Sequence, residues 1–497
     1  MQYLRRVIAV LLTSFVNIAV YAKNLLLIPI LARELGVHKY GVWINIQTII
    51  DLLVPFCLFD LHTAAKRFLA AEKDVAEIRR GFWSALQFGL LSSWTIGLLF
   101  WVLCPFLVAL IFSGESANLD EITAALRWAF AFLGASVIAK SCICYFQTVQ
   151  RHEAYTALVM VEAVTYLGTA FVLTQLGWGL WSPIIGFFGT QVLVAVVGLT
   201  AIMRRIGFAL LDRDVLRVYL PFSMPLALFG VLYWVIQLSD RYMIAYFLGL
   251  EDVGRYAVNY SLGSVITFIF SPFFAFLLPM ATEMWERGDR EELRAYFWKV
   301  IKYPLLIALP AFVTFTFFAD RLVEWLAGRE YVETPALSAL VMAGHIVLLA
   351  STIFSALLQI VKDTKAILWI NVGAATLNIA LNIVFIPKIG KVGAALATAL
   401  TFGIQTCVYG VWASRYFSFD LGGADLPKMI VCTAATGAVV FVTAGEYGWP
   451  LGYALTLAMA IYVGLIAAWR VVTKWEVEIV WQSIAGYVSG WVARLNG

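Results

Sequence analysis

The amino-acid sequence predicts an all-α polytopic membrane protein with about 14 transmembrane helices, and three observations support this fold class. Hydrophobic residues make up 62% of the 497 residues and charged residues only 13%, whereas soluble chains carry about 25% charged residues. Windows of about 20 apolar residues, the length that crosses a bilayer, recur along the whole chain. An internal repeat then divides most of these windows into two lobes.

The predicted spans follow one another with short connections, too short to bury a separate soluble core. Their approximate bounds are 7–32, 41–61, 82–112, 122–149, 154–176, 179–203, 218–248, 255–281, 303–327, 336–361, 366–387, 392–414, 428–446 and 450–470. After Arg470 several residues, among them Trp475, Trp481 and Tyr487, share a helical face. This pattern predicts an interfacial helix rather than a continuation of the last span.

The distribution of basic residues predicts the orientation, because cytoplasmic loops retain Lys and Arg. Three of the 35 basic residues fall inside spans: Lys23, Arg127 and Lys140. Alternate loops carry eight: Arg33, Lys39, Arg241, Arg255, Arg321, Arg329, Lys388 and Lys391. The remaining 24 of the 35 lie on the opposite set of loops, which includes both termini. We therefore expect both termini to face the cytoplasm of a bacterium, with the chain in the inner membrane.

A repeat of about 213 residues links the two halves of the chain. The segment LGVHKYGVW at 35–43 aligns with LGLEDVGRY at 248–256 at an offset of 213. Residues 147–154 align with 359–366 at an offset of 212, and Gly177 aligns with Gly390 at 213. Because the offset covers six spans, the halves enter the membrane in the same direction. The sequence thus predicts a six-helix lobe at 1–205, a second at 206–415, a central cavity between them, and two extra helices plus the tail at 416–497.

Ionisable residues deep in a span are costly and are expected to face a cavity or a partner. Counting from the nearest turn places Lys23 level with Asp51 and Lys140 level with Glu162, so each couple could pair across a hairpin. One interpretation is that both couples are buried salt bridges that hold neighbouring helices. The other is that Lys23 lines a basic cavity and that Asp51 or Glu162 takes up the coupling ion.

Two further residues are weaker candidates for substrate contacts. Arg127 is only about two turns from a membrane surface, so its side chain is expected to snorkel. Asn378 shares one face of its helix with Asn371 and Asn382, for which interhelical hydrogen bonding is the first interpretation and cavity lining the second. The sequence shows no catalytic or metal-binding motif and predicts neither an enzyme nor a cofactor. The net charge of +4 is spread along the chain and predicts no nucleic-acid partner.

Four segments carry a resemblance to a known family: LGVHKYGVW (35–43), SDRYMIAYFLGLEDVGRY (239–256), LAGREY (326–331) and LNIALNIVFIPKIGKVGAALATAL (377–400). The sequence resembles bacterial polysaccharide flippases of the multidrug/oligosaccharidyl-lipid/polysaccharide exporter superfamily. The resemblance implies transfer of a polyprenyl-diphosphate-linked oligosaccharide from the inner to the outer leaflet, for O-antigen or exopolysaccharide assembly. It also implies basic lumen residues that attract the diphosphate, for which Lys23 is the best match, and it places Arg241 in an Asp-Arg motif.

Two other functions stay open at this point. A multidrug or cation antiporter of the same superfamily would share the two lobes, and Asp51 and Glu162 would suit an acidic lumen. A membrane-embedded polysaccharide polymerase or glycosyltransferase is the enzyme alternative, although no long outer loop is predicted. The expected partners are the lipid-linked oligosaccharide and membrane lipid, with a polysaccharide polymerase and glycosyltransferases as further candidates.

Overall fold

The computed structural model describes residues 2–70, 72, 74–112, 119–418, 425–446 and 449–472. The predicted interfacial tail falls at 473–497 and lies outside the described residues. Within the described ranges the chain forms α helices and no strand. The helices are α1 Gln2–Cys57, α2 Leu61–Leu69, α3 Val75–Ile111, α4 Leu119–Ala131, α5 Leu133–Thr148, α6 His152–Gln175, α7 Trp181–Ile206, α8 Arg213–Leu238, α9 Asp240–Leu248, α10 Leu250–Gly263, α11 Ile266–Arg287, α12 Arg290–Ala327, α13 Pro335–Ile360, α14 Thr364–Ala413, α15 Asp425–Val440 and α16 Leu451–Ala468.

These helices confirm the predicted all-α polytopic membrane protein. Nine helices of the described part are long and apolar enough to cross a membrane, and α4 with α5, bent by 43°, would make a tenth. Two long helices each contain two predicted spans, because α1 is broken at Gly36 and α14 at Ile389 and Gly390. The count of fourteen spans stays a prediction, although every predicted span overlaps one of the described helices.

The backbone breaks recur at the spacing of the sequence repeat. Positive φ angles, which glycine adopts most easily, occur in three couples separated by 213, 212 and 213 residues: Gly36 and Gly249, Gln150 and Lys362, and Gly177 and Gly390. The chain therefore turns in the same way at corresponding places in its two halves. The division into segments 1–205, 206–415 and 416–497 stays a prediction.

At one end of the helices, here called the Gly36 end, the two halves of the chain are in contact. Buried apolar side chains from both halves, such as Ile46, Leu126, Tyr256 and Leu337, form one cluster there. Helices α1 and α10 cross so closely that a Cβ atom added at Gly41 would lie 1.9 Å from the carbonyl oxygen of Leu250. Helix packing therefore closes this end.

At the opposite end, here called the Arg80 end, the connection between the halves is fastened to the first half. The guanidinium of Arg80 donates to Asp212 (Nε to Oδ2, 3.0 Å), the residue that caps α8. This hydrogen bond, followed by that from the backbone N–H of Asp214, lowers the pKa of the Asp212 carboxyl. The ring of Phe68 on α2 also stacks on Tyr219 of α8, with centroids 5.1 Å apart.

Candidate functional site

A cavity of about 680 Å³ lies between helices of the first half and receives few residues from the second. Its lining residues recur at helical spacing on three helices, so one face of each helix points inward. Five ionisable side chains other than tyrosines line it: Lys23, Asp51, Lys140, Glu162 and Arg241. Uncharged polar groups are interspersed, among them Asn24, Gln47, Ser136, Tyr166 and Gln191. The volume lies within the range of about 300–1,000 Å³ that is usual for ligand sites.

Both predicted charge pairs are wrong, because the partners are exchanged. The ammonium of Lys23 lies 3.8 Å from Oε1 of Glu162, not beside Asp51. The same Glu162 oxygen accepts a hydrogen bond from Gln191 Nε2 at 3.3 Å. Depth along the helices was matched correctly, but depth does not tell which face of each helix points to which neighbour. Lys23 and Glu162 therefore link α1 to α6.

Asp51 and Lys140, the other members of the predicted pairs, are both exposed to the cavity. Asp51 accepts a hydrogen bond from Gln47 Nε2, one turn earlier on α1, at 3.1 Å. Within the described part of the chain Lys140 forms no ion pair with a carboxylate. The first half of the chain thus presents one paired cation, one unpaired cation and one amide-bound carboxylate to the same space.

Arg241 reaches the cavity from the second half and is largely buried. Its guanidinium lies 5.0 Å from the ring centroid of Tyr260 and donates a long bond of 3.5 Å to the carbonyl of Gln237. The neighbouring carboxyl of Asp240 is fully buried and accepts a hydrogen bond from the hydroxyl of Tyr256. The Asp-Arg motif therefore anchors α9 to α10 and at the same time brings a positive charge to the cavity.

The other two predicted substrate contacts do not line this cavity. Arg127 lies on α4 with its guanidinium 4.7 Å from the ring centroid of Trp101 on α3. Asn378 is fully buried and donates to the hydroxyls of Thr398 and Thr401, across the break in α14. Interhelical hydrogen bonding, the first interpretation of the Asn face, describes what the structure shows for Asn378.

Sequence reasoning missed three polar residues of the cavity. Gln191 holds Glu162, and Ser136 and Tyr166 carry buried hydroxyls without a hydrogen-bond partner among the described residues. A signal for two of them was present, since Ser136 precedes Lys140 by one turn and Tyr166 follows Glu162 by one turn. No group of three His, Cys, Asp or Glu side chains placed to hold a metal ion occurs in the described ranges.

With the cavity defined, comparison with known proteins identifies the family. The model of a family described as polysaccharide biosynthesis protein matches residues 30–336, more than half of the chain. The chain belongs to this family. The resemblance to polysaccharide flippases is thereby confirmed.

Two curated relatives of this family member are similar over most of its length. One is the probable low-salt glycan biosynthesis flippase Agl15 of Haloferax volcanii, 23% identical over 424 residues that cover 83% of this chain and 84% of the relative. The other is an uncharacterized membrane protein of Methanocaldococcus jannaschii, 22% identical over 77% of this chain and 78% of the relative.

Solved structures show the fold of the family member. The lipid II flippase MurJ in an inward closed conformation superposes with a TM-score of 0.72 at 15% identity, covering 93% of this chain and 98% of that chain. An inward-facing MATE family multidrug transporter of the MOP superfamily gives 0.62 at 14% identity, covering 81% and 97%. The protein therefore has the MurJ/MATE transporter fold and is a multi-pass membrane protein.

Proposed function

We propose that the protein is a flippase that moves a polyprenyl-diphosphate-linked oligosaccharide from the inner to the outer leaflet of the cytoplasmic membrane by alternating access, for surface polysaccharide assembly. The observation that carries the proposal is the cavity inside a transporter fold, whose lining bears three basic side chains and two carboxylates. The family and the glycan flippase relative support the substrate class.

The physical requirements of this reaction match the cavity. The lipid tail of such a substrate can stay in the bilayer, whereas its sugar and diphosphate must cross a medium in which unpaired polar groups are costly. A polar path with positive charge lowers that cost for an anionic head group. Charged residues within a membrane protein are expensive to keep, so five of them around one space favour a transport role over packing alone.

We assign Lys23 and Arg241 to the positive potential that attracts the substrate. Because Lys23 lies against Glu162, an incoming anion must compete with that carboxylate for its ammonium. Asp51 is our candidate for ion coupling, since it faces the cavity and is held by an amide rather than by a cation. For Arg127 and Asn378, which lie outside the cavity, we propose packing roles.

The second candidate function is a multidrug or cation antiporter. It is favoured by the similarity to MATE transporters and by the carboxylates of Asp51 and Glu162 in the cavity. The pairing of Glu162 with Lys23 speaks against it, because that carboxylate is already neutralised before a cationic drug arrives. A polymerase or glycosyltransferase would lengthen the glycan instead of moving it.

The test is reconstitution of the purified protein in vesicles that carry a lipid-linked oligosaccharide on one leaflet. We expect the protein to move the glycan to the other leaflet without changing its length, and deletion of the gene to leave lipid-linked glycan on the inner leaflet. Export of cationic drugs without glycan transfer would support the antiporter, and glycan elongation would support the enzyme. Reporter fusions after Arg80 and near Gly328 test the proposed orientation, with cytoplasmic and external signals expected in that order.

A further inference from the structure

One wall of the cavity carries hydrogen-bond donors that have no acceptor among the described residues. Lys140 is exposed to the cavity and forms no ion pair there. Ser136, one turn earlier on α5, is 4% exposed, and its hydroxyl lines the cavity without a hydrogen-bond partner. Tyr166 on α6 is 5% exposed, and its hydroxyl is likewise unpartnered. Three donor groups thus border the same space.

The helix geometry brings these donors to neighbouring levels. Helices α5 and α6 are joined by a turn at Gln150, and Lys140 lies ten residues before it. Ser136 is fourteen residues before that turn and Tyr166 sixteen after it, so both hydroxyls lie about one helical turn deeper than the ammonium. A ligand that spans about one turn can reach all three.

The chemistry of the donors defines the ligand group. Buried hydroxyls without partners are rare in folded proteins and often mark a place where a bound group completes the hydrogen bonding. An ammonium and two hydroxyls together favour a group with several acceptor oxygens and a negative charge, which describes a phosphate or diphosphate. The nearby Glu162 does not satisfy Lys140, because Lys23 and Gln191 already contact that carboxylate.

We propose that Lys140, Ser136 and Tyr166 form the binding site for the diphosphate of the substrate. This assignment rests on the proposed flippase function and specifies which residues hold the anion. Lys23 then keeps Glu162 neutral while the anion binds on the α5 and α6 side. Asp51 faces the same cavity as a carboxylate and opposes anion binding, which sets an upper limit on affinity and helps release.

The test measures binding of farnesyl diphosphate, inorganic pyrophosphate and farnesol to the full-length protein in lipid nanodiscs by titration calorimetry. We expect both diphosphates to bind and farnesol to bind at least about 10-fold more weakly than farnesyl diphosphate. Lys140→Ala should weaken diphosphate binding by about 10- to 100-fold, the usual range for a charged hydrogen bond, and Lys140→Arg should retain most of it. Ser136→Ala and Tyr166→Phe should each weaken it by about 2- to 10-fold. Asp51→Asn should strengthen it.

Lys365→Ala is the matched control, because Lys365 is an exposed lysine near the start of α14 and lies outside the central cavity. It should bind both diphosphates as the wild type does. Thermal unfolding of each variant shows whether a loss of binding reflects a loss of folded protein, and the retained binding of Lys140→Arg guards against that explanation.

Three outcomes would overturn the site: no diphosphate binding by the wild type, unchanged binding by Lys140→Ala, or a loss confined to Lys23→Ala. The flippase function is judged separately by glycan transfer in vesicles. Transfer by the wild type together with unchanged binding by Lys140→Ala would refute this site and leave the function standing. Diphosphate binding through Lys140 without glycan transfer would do the reverse.

Discussion

The closest contact between the two halves of the chain predicts a way to hold the Gly36 end open. A Cβ atom at Gly41 would lie 1.9 Å from the carbonyl oxygen of Leu250, and one at Gly254 would lie 2.3 Å from the carbonyl oxygen of Val37. Both couples are separated by 213 residues, so the contact is reciprocal, as in an interface with twofold symmetry. Replacing either glycine by alanine therefore strikes backbone, which cannot rotate away as a side chain can.

The size of the effect follows from these distances. Close carbon to oxygen contacts between helices are about 3.3–3.6 Å, so α1 and α10 must separate by about 1.4 Å at Gly41→Ala and about 1.0 Å at Gly254→Ala. Overpacking of this kind costs about 1–3 kcal/mol. If transport alternates between a state with this contact and a state without it, each alanine shifts the equilibrium toward the open state by about 5- to 150-fold. The double variant should gain less than the product, since one separation relieves both clashes.

The assay is labelling of a cysteine introduced at Gln47, which lines the cavity, with a membrane-impermeant maleimide added outside. The exposed native Cys407 is replaced by serine in all variants. We expect Gly41→Ala to label faster than the parent protein and to transport more slowly, because it is held away from the closed state. Gly168→Ala and Gly230→Ala are the controls, since nothing lies within 4 Å of a Cβ atom at either position.

Labelling of Gly41→Ala at the parent rate, with the variant folded, would refute this reasoning. It would show that α1 and α10 do not separate during transport or that the Gly36 end does not face outside. Faster labelling in the two control variants as well would show that alanine loosens the helices generally, and the glycine contact would then have no special role.

Three further predictions concern ionisable side chains. Lys23→Ala and Glu162→Gln should each destabilise the protein by about 1–3 kcal/mol, less than a fully dry pair because the cavity is polar, and the double variant should recover part of the loss in thermal unfolding; additive losses would contradict the pairing. Asp51→Asn should abolish the dependence of glycan transfer on a pH or sodium gradient in vesicles while the protein still inserts; an unchanged dependence would exclude Asp51 as the coupling site. The contact of Asp212 stabilises the fold above the ordinary carboxyl pKa and is lost as the pH falls through its lowered folded value, so the difference in melting temperature between wild type and Asp212→Asn should shrink between pH 7 and pH 3; a constant difference would mean that the carboxylate charge is irrelevant.

The sequence predicted the helical membrane fold, the family and the offset of the repeat, because these depend on composition, hydrophobic length and short motifs. It also predicted that Lys23, Asp51, Lys140 and Glu162 lie deep in the membrane, and all four line one cavity. It could not predict that Lys23 contacts Glu162, since the rotation of each helix about its axis is set by packing with helices distant in the sequence.

Asn378 shows the same limit from the other side. Its spacing from Asn371 and Asn382 identifies a polar helix face, but two destinations are open to such a face, a cavity or a neighbouring helix. The break at Gly390 folds the second part of α14 back so that Thr398 and Thr401 meet Asn378. The polar face is consumed within one helical hairpin, which no periodicity in the sequence could distinguish from a binding surface.

The two halves of the chain share backbone turns but not cavity chemistry, and this difference explains why the cavity is one-sided. At the repeat offset the positions of Lys23, Asp51, Lys140 and Glu162 correspond to Ile236, Ser264, Thr352 and an alanine at 374 or 375. The second half therefore spends its polar residues on contacts between helices, such as those of Asn378, and lends Arg241 to the cavity. The repeated glycines close the Gly36 end symmetrically, while the charges that would recognise a substrate lie mainly in the first half. Movement of the second half against the first could then open or close access without dismantling the site that holds the ligand.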